Sequence, residues 1–118
     1  MRVWHPIPVR CLDDSRLKGE HAELHGIWSI ITTNKRGYRL HPETQRWIGH
    51  LAALAHRHDL LVEELTLRGI VDHKSPLSGV ERFTRPPICY PPPIEPVSDM
   101  RAKLVAKIQA STEDRKDK

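Results

Sequence analysis

The sequence predicts an all-α fold: a small single domain built on two to three main helices, with a proline-rich extended strap and a short C-terminal helix. Apolar residues recur at helical spacing in two long stretches, and no long run alternates apolar and polar residues as a half-buried strand does. Seven of the ten prolines fall between residues 75 and 98. The length of 118 residues suits one domain with one core.

The first helix is expected to begin within "LDDSRL", after an extended segment over residues 1–11. Asp13 or Asp14 can accept a hydrogen bond from the free N–H groups of the first turn. The helix should end near "TTNKRG", where Gly37 suits a stop or a turn. Its buried stripe recurs at helical spacing and consists of Leu17, His21, Leu24, Trp28 and Ile31.

The second helical region is "HPETQRWIGHLAALAHRHDLLVEELTLRG". Pro42 suits its first turn, where the missing N–H costs nothing, and Gly69 after Arg68 suits its C-terminal stop. Asp59 can restart a helix after a break at "HRH", so one helix and two helices both remain open. The expected buried face comprises Trp47, Leu51, Leu54, Leu61 and Leu65.

The strap over residues 75–98 contains "RPP" and "YPPPIEP", which suit neither a helix nor a central strand. We expect it to lie extended on the helices, and a disordered linker is the alternative. "SDMRAKLVAKIQA" then predicts a short helix capped by Ser98 or Asp99, followed by a frayed tail, "STEDRKDK". The predicted division is a helical domain over residues 1–98 and a C-terminal helix with its tail over 99–118. The expected anchors of the strap are Phe83, Ile88, Tyr90 and Ile94.

Composition limits the classes of function. The formal net charge of +4 and the pI of about 9.3 permit an anionic partner such as nucleic acid without requiring one. No apolar run approaches the ~18 residues of a membrane span, and the start lacks the apolar core of a signal peptide. Cys11 and Cys89 are expected to be reduced thiols, with a disulfide as the minor alternative. These features predict a cytoplasmic protein.

Metal and serine chemistry are not favoured by the sequence. There are eight histidines, of which His21 and His25 have helical i, i+4 spacing, while His56 and His58 are two apart. However, no HExxH, no CxxC and no third ligand at a fixed spacing accompanies them, so no metal site is expected. No serine lies in a nucleophile elbow, and no glycine-rich phosphate loop is present.

Two other patterns are more informative. Basic residues crowd the first 46 positions and aromatic residues are interleaved with them, as suits phosphate binding and stacking on unstacked bases. A solvated basic surface around a core that contains the tryptophans is the alternative. The basic residues are Arg2, Arg10, Arg16, Lys18, Lys35, Arg36, Arg39 and Arg46, and the aromatic ones Trp4, Trp28, Tyr38 and Trp47.

The second pattern is a pair of carboxylates on the first helix. Glu20 and Glu23 are three residues apart and lie beside its apolar stripe. A carboxylate at such a border, shielded from water, can have a raised pKa and serve as a general acid or base. The alternative is an ordinary surface pair held by Arg16 or Lys18.

The blocks "LDDSRLKGEHAELHGIW", "RLHPETQRWIGH" and "EELTLRG" together resemble the pyrimidine-dimer DNA glycosylases of the phage endonuclease V type and their bacterial relatives, over residues 1–77. The resemblance implies an enzyme that flips a base out of damaged double-stranded DNA. It further implies that the N-terminal α-amine attacks C1′, that a Schiff base forms, and that β-elimination cuts the strand without a metal or cofactor. Met1 would then be the nucleophile and Glu23 the acid/base.

The resemblance also sets the expected partners and DNA contacts. Ala22 and Gly26 stand where the phage enzyme has arginines, and Arg16 and Lys18 are expected to compensate for them. The expected protein is a monomer in a bacterial or viral setting, associated with the nucleoid. A DNA-binding module without catalysis and a helical interaction protein are the alternatives. The predicted DNA-binding residues are Arg2, Arg16, Lys18, Glu20, His21, Arg39 and Arg46.

Overall fold

The computed structural model is helical, as predicted. It describes residues 2–34, 36–37, 39–71, 77, 79–84, 88–93 and 95–116, without the side chains of residues 82 and 111–116. No strand occurs within these ranges. After a 3-10 turn at Val9–Cys11, the helices are α1 (Asp14–Thr33), α2 (Pro42–Trp47), α3 (Leu51–Leu67), α4 (Val80–Phe83) and α5 (Val97–Lys116).

Helix α1 begins where the sequence predicts. The Asp13 side chain accepts a hydrogen bond of 3.2 Å from the Arg16 N–H, which satisfies one of the free donors of the first turn. At the other end Asn34 adopts a left-handed conformation with φ of 54°, so the helix stops three residues before Gly37. The predicted stripe is buried at Leu17, His21, Leu24 and Trp28, and Ile31 is partly buried.

The second helical region consists of two helices, α2 and α3, but they do not separate at "HRH". The break lies over residues 48–50, where Gly49 has φ of +83°, a conformation that costs a glycine little. Helix α3 runs unbroken through His56–His58, so a restart at Asp59 is wrong. Gly69, with φ of +70°, follows the end of α3, and this stop is confirmed.

The strap departs from the prediction in part. One helical turn, α4, forms inside it at Val80–Phe83, in a stretch without proline, so the exclusion of helix from residues 75–98 is wrong there. Phe83 and Tyr90 pack against the core and are confirmed as anchors. Ile88 is 54% exposed and is not an anchor, while Ile94 lies outside the described residues.

Helix α5 is longer than predicted. It spans 20 residues from Val97 to Lys116, so it begins before the expected caps at Ser98 and Asp99 and includes most of the tail expected to fray. No glycine or proline follows Pro96, and therefore no residue of the tail breaks the helix. Met100 and Leu104 are buried in the same core cluster as the apolar faces of α1 and α3.

The segment before α1 is part of this core. Val3, Trp4 and Ile7 are almost fully buried against the helices, and this fixes the course of the chain that leads from the N-terminus to α1. Cys11 and Cys89 are exposed free thiols, as expected. None of the helices described is long and apolar enough to span a membrane.

Candidate active site

Glu23 lies half-buried on α1, at a shallow cavity of about 170 Å³. Helix α1 contributes one face to this cavity, because residues three, four and seven apart share a side of a helix. The segment before α1 and helix α5 supply the other walls. The lining residues are Arg2, Trp4, Arg16, Gly19, Glu20, Glu23 and Lys107.

Glu20 is held in the interior by a buried ion pair. It is 1% exposed, and its carboxylate accepts hydrogen bonds of 2.7 and 3.0 Å from the Arg57 guanidinium on α3. The backbone N–H of Trp4 donates a further bond of 2.8 Å to Glu20 Oε1. The expectation that Glu20 contacts DNA is thus corrected, since both of its oxygens already bind protein groups.

The same ion pair positions the N-terminal segment. Glu20 binds the N–H of Trp4, and Arg57 Nη1 donates a 2.8 Å hydrogen bond to the carbonyl of Ile7. Sequence reasoning missed Arg57. A signal existed, because Arg57 lies three residues after Leu54 and four before Leu61, in the middle of the buried face of α3.

The rim of the cavity carries basic residues from the N-terminal segment, α1 and α5, and Glu95 of the strap pairs with one of them. Arg2 Nη1 lies 2.7 Å from Glu95 Oε1, and the Arg2 guanidinium lies 4.8 Å from the centroid of the Trp4 ring. Lys107 Nζ lies 5.7 Å from a ring centroid of the same tryptophan. Hydrogen bonds from Lys103 and then Arg2 lower the pKa of Glu95. Sequence reasoning missed Lys107, which lies outside the blocks that carry the family resemblance.

The other basic residues predicted to contact DNA separate into two groups. Arg16 lines the cavity, and its Nη2 donates a 3.2 Å hydrogen bond to the carbonyl of Lys107. Lys18 is exposed but does not line the cavity. Arg39 is exposed beside Ile31, at the C-terminal end of α1, roughly 12 Å along the helix axis from the level of Glu23.

Arg46 is a structural residue. Its side chain is 5% exposed and forms an ion pair of 2.8 Å with Glu43. It also donates to the carbonyls of His5 and Pro92, at 2.8 and 3.0 Å, and so ties the N-terminal segment and the strap to α2. The expected phosphate contact by Arg46 is corrected, because these protein acceptors already take its donors.

The tryptophans do not form a stacking surface. Trp4, Trp28 and Trp47 are at most 3% exposed and belong to the core, while Tyr38 lies outside the described residues. For the tryptophans the structure therefore confirms the alternative, a core that contains them.

A cluster of three histidines lies where α1 faces α3. His21, which is 1% exposed, does not reach the surface in this structure, so its expected DNA contact is corrected. Its Nε2 atom lies close to the Nε2 atoms of His25 and His58. Burial lowers the pKa of His58, although a hydrogen bond with Asp59 opposes this shift. Sequence reasoning missed His58 as a neighbour because it is 37 residues from His21 and on another helix.

Comparison with known proteins supports the family suggested by the sequence. The family model described as pyrimidine dimer DNA glycosylase matches residues 1–77, which is more than half of the 118 residues. The match includes α1, α2 and α3 with Glu23, and it excludes α5 with Lys107. Neither a curated protein nor a solved structure matches the chain.

Proposed function

This chain belongs to the pyrimidine dimer DNA glycosylase family, and we propose that it is a glycosylase and AP lyase acting on pyrimidine dimers or abasic sites in double-stranded DNA. One observation carries the proposal. Glu23 lies half-buried in a cavity that is also lined by Arg2, the residue that follows Met1 in the chain. Met1 itself lies outside the described residues.

The proposed nucleophile is the α-amine of Met1. An α-amine has a pKa of about 7.7–8.0, against about 10.4 for a lysine, so far more of it is unprotonated near neutral pH. Its lone pair forms a bond to C1′ of the damaged nucleotide, and the base leaves with the electrons of the glycosidic bond and takes up a proton. Opening of the sugar ring then gives an iminium at C1′.

The proposed acid/base is Glu23. Its carboxylate stabilises the positive iminium and takes a proton from C2′, after which the C3′–O bond breaks and the phosphate leaves with its electrons. A positioned carboxylate of this kind typically contributes ~10²–10⁴-fold to such proton transfers. The partly buried position of Glu23 on α1 supports this role, because a carboxylate shielded from water interacts more strongly with a nearby cation.

The proposed DNA contacts at the cavity are Arg2, Arg16 and Lys107, with Lys18 and Arg39 as exposed cations farther away. Phosphate neutralisation by such residues makes affinity fall steeply with salt. The Glu95 carboxylate beside Arg2 is a competitor for phosphate at this rim. We further propose that the protein works as a monomer in the cytoplasm of a bacterial or virus-infected cell.

The decisive experiment traps the iminium. The protein is mixed with abasic-site duplex and borohydride, which delivers a hydride to the iminium carbon and leaves a stable secondary amine. We expect a covalent adduct with the wild type and a loss of at least ~100-fold in its rate with Glu23→Gln. Glu63→Gln, which changes an exposed carboxylate on α3, is the matched control and should react like the wild type.

Mapping the adduct identifies the amine. Lys107 lines the same cavity, so its ammonium is the rival nucleophile, and Lys107→Arg keeps the charge but removes that amine. We expect the adduct in the N-terminal peptide and its full yield with Lys107→Arg. An adduct on Lys107 would show that Lys107, and not Met1, is the nucleophile. Duplex binding without any adduct, at low and high salt, would contradict the proposed enzymatic activity and favour a non-catalytic DNA-binding module.

A further inference from the structure

Three histidines converge between α1 and α3, away from the cavity that holds Glu23. The Nε2 atom of His21 lies 3.1 Å from that of His58, and the Nε2 atom of His25 lies 3.2 Å from both. His21 and His58 are buried, and His25 is half-buried. These three residues, the histidine cluster, come from two helices that are separated by 17 residues of the chain.

Hydrogen bonds cannot form within all three pairs of these nitrogens. An imidazole nitrogen either carries a hydrogen and donates or has a lone pair and accepts. With three nitrogens in mutual contact, at least one pair must therefore bring two donors or two acceptors together. A cation bound by all three lone pairs removes this conflict.

The spacing of the nitrogens fits such a cation. A point about 2.0–2.1 Å from each Nε2, the usual zinc–histidine distance, makes N–metal–N angles of about 100° with these spacings, close to the tetrahedral value. The geometry points to a site for a single divalent transition metal ion of the zinc type, bound through Nε2 of His21, His25 and His58. Imidazole ligands suit zinc, copper, nickel and iron, so Zn²⁺ is the probe for the tests below.

A neighbouring carboxylate completes the site. Asp59 Oδ1 lies 3.3 Å from Nδ1 of His58, and a hydrogen bond there leaves the Nε2 lone pair available for the metal. Three protein ligands leave a fourth position for water, and half-buried His25 gives the ion a path to the cluster from solvent.

The expected effect of the metal is structural. His21 and Glu23 are two residues apart on α1, and residues at this spacing do not face the same side of a helix. The metal is thus separate from the proposed chemistry at Glu23. It joins α1, which carries Glu23, to α3, and so stabilises the contact between these two helices.

Metal titration of tag-free, chelator-treated protein tests the site. We expect calorimetry to show one Zn²⁺ per chain with a Kd below about 10 μM, because three converging imidazoles bind a divalent ion strongly. Co²⁺ should give the intense visible absorption of a four- or five-coordinate site, without a thiolate band. Zinc binding weaker than this limit, or a weak octahedral Co²⁺ spectrum, would overturn the proposal.

Variants assign the ligands. His25→Ala should weaken Zn²⁺ binding by at least ~100-fold, since even the loss of an outer-shell partner costs 10–100-fold. His56→Ala is the matched control, because it removes an exposed histidine of α3 outside the cluster, and it should bind as the wild type does. The exposed thiols are the rival ligands, so Cys11→Ser/Cys89→Ser should also bind as the wild type does. Binding that survives His25→Ala, or is lost with the cysteines, would refute the assignment.

Thermal unfolding tests the structural effect. At a Zn²⁺ concentration of 100 times Kd, the Tm of the wild type should rise by about 10 °C, because the ion binds the folded chain. The Tm of His25→Ala should not change, and circular dichroism shows whether this variant is folded. If it is not, the stoichiometry and the Co²⁺ spectrum of the wild type still decide whether the site exists. Tight binding of Zn²⁺ with no rise in Tm would refute the statement that the ion stabilises the contact between α1 and α3.

Discussion

Arg57→Met should destabilise the protein by about 3–5 kcal/mol, because it leaves the buried Glu20 carboxylate without its counter-ion. Two of the lost hydrogen bonds, of 2.7 and 3.0 Å, go to Glu20, and a third of 2.8 Å goes to the carbonyl of Ile7. The N–H of Trp4 still donates to Glu20, which places the expected cost within this range rather than above it. For a domain with a total stability of ~5–15 kcal/mol, the loss is large.

Urea unfolding at pH 7, followed by tryptophan fluorescence, measures this loss. With an m-value of about 2 kcal/mol/M, the midpoint should fall by roughly 2 M. The matched control is Arg68→Met, which also removes an arginine with two carboxylate partners, Asp14 and Glu64, but at the surface. The control should lose at most ~1 kcal/mol, since water reaches and screens these partly exposed ion pairs.

The double variant Glu20→Leu/Arg57→Met separates the ion pair from side-chain packing. Because it removes both buried charges, it should lose less stability than Arg57→Met alone. The reasoning fails if Arg57→Met and Arg68→Met are equally destabilising. It also fails if the double variant loses more stability than the separate losses of Glu20→Leu and Arg57→Met add up to. In either case the burial of the Glu20–Arg57 ion pair would not be the reason for the loss of stability in Arg57→Met.

Two further predictions concern stability. Burial, and then the charges of Arg57 and Arg46, lower the pKa of His5 to about 4, below its value of 6.5 in the unfolded chain. Between these pH values the unfolded chain binds more protons than the folded one, so the free energy of unfolding falls as pH falls. His5→Phe removes this titration. After allowing for solvent screening, it should reduce the loss of unfolding free energy between pH 7 and 4.5 by about 1–2 kcal/mol. Met100→Ala should cost ~2–5 kcal/mol in urea unfolding, because Met100 is fully buried, whereas half-exposed Val105→Ala should cost under ~1 kcal/mol. An unchanged pH dependence in His5→Phe, or equal losses in the two α5 variants, would contradict these expectations.

Much of the helical framework is predictable because its causes are local. Asp13 lies beside the N–H groups that it caps, and Gly69 lies at the end of α3. The apolar stripe of α1 follows from a period of 3.6 residues. The polar "HRH" predicts a break, but the region divides at Gly49, which has a positive φ.

The length of α5 and the inner turn of the strap were harder to predict. The tail after Ala110 is polar, which predicts fraying, but it contains no residue that excludes helix. Residues 80–83 carry no proline, although prolines surround them. In both places the average composition of the segment concealed what its individual residues permit.

The sequence by itself determined the all-α class, the position of α1, the C-terminal end of α3, and the family to which the chain belongs. Only the tertiary structure decided which charged groups are enclosed. Glu20 and His21 meet Arg57 and His58 across 37 residues, and Arg2 meets Glu95 across 93. A helical period tells which side of a helix a residue occupies, but not what lies opposite. The free energy of a buried charge depends on that opposite group, because only a partner at hydrogen-bond distance offsets the loss of water.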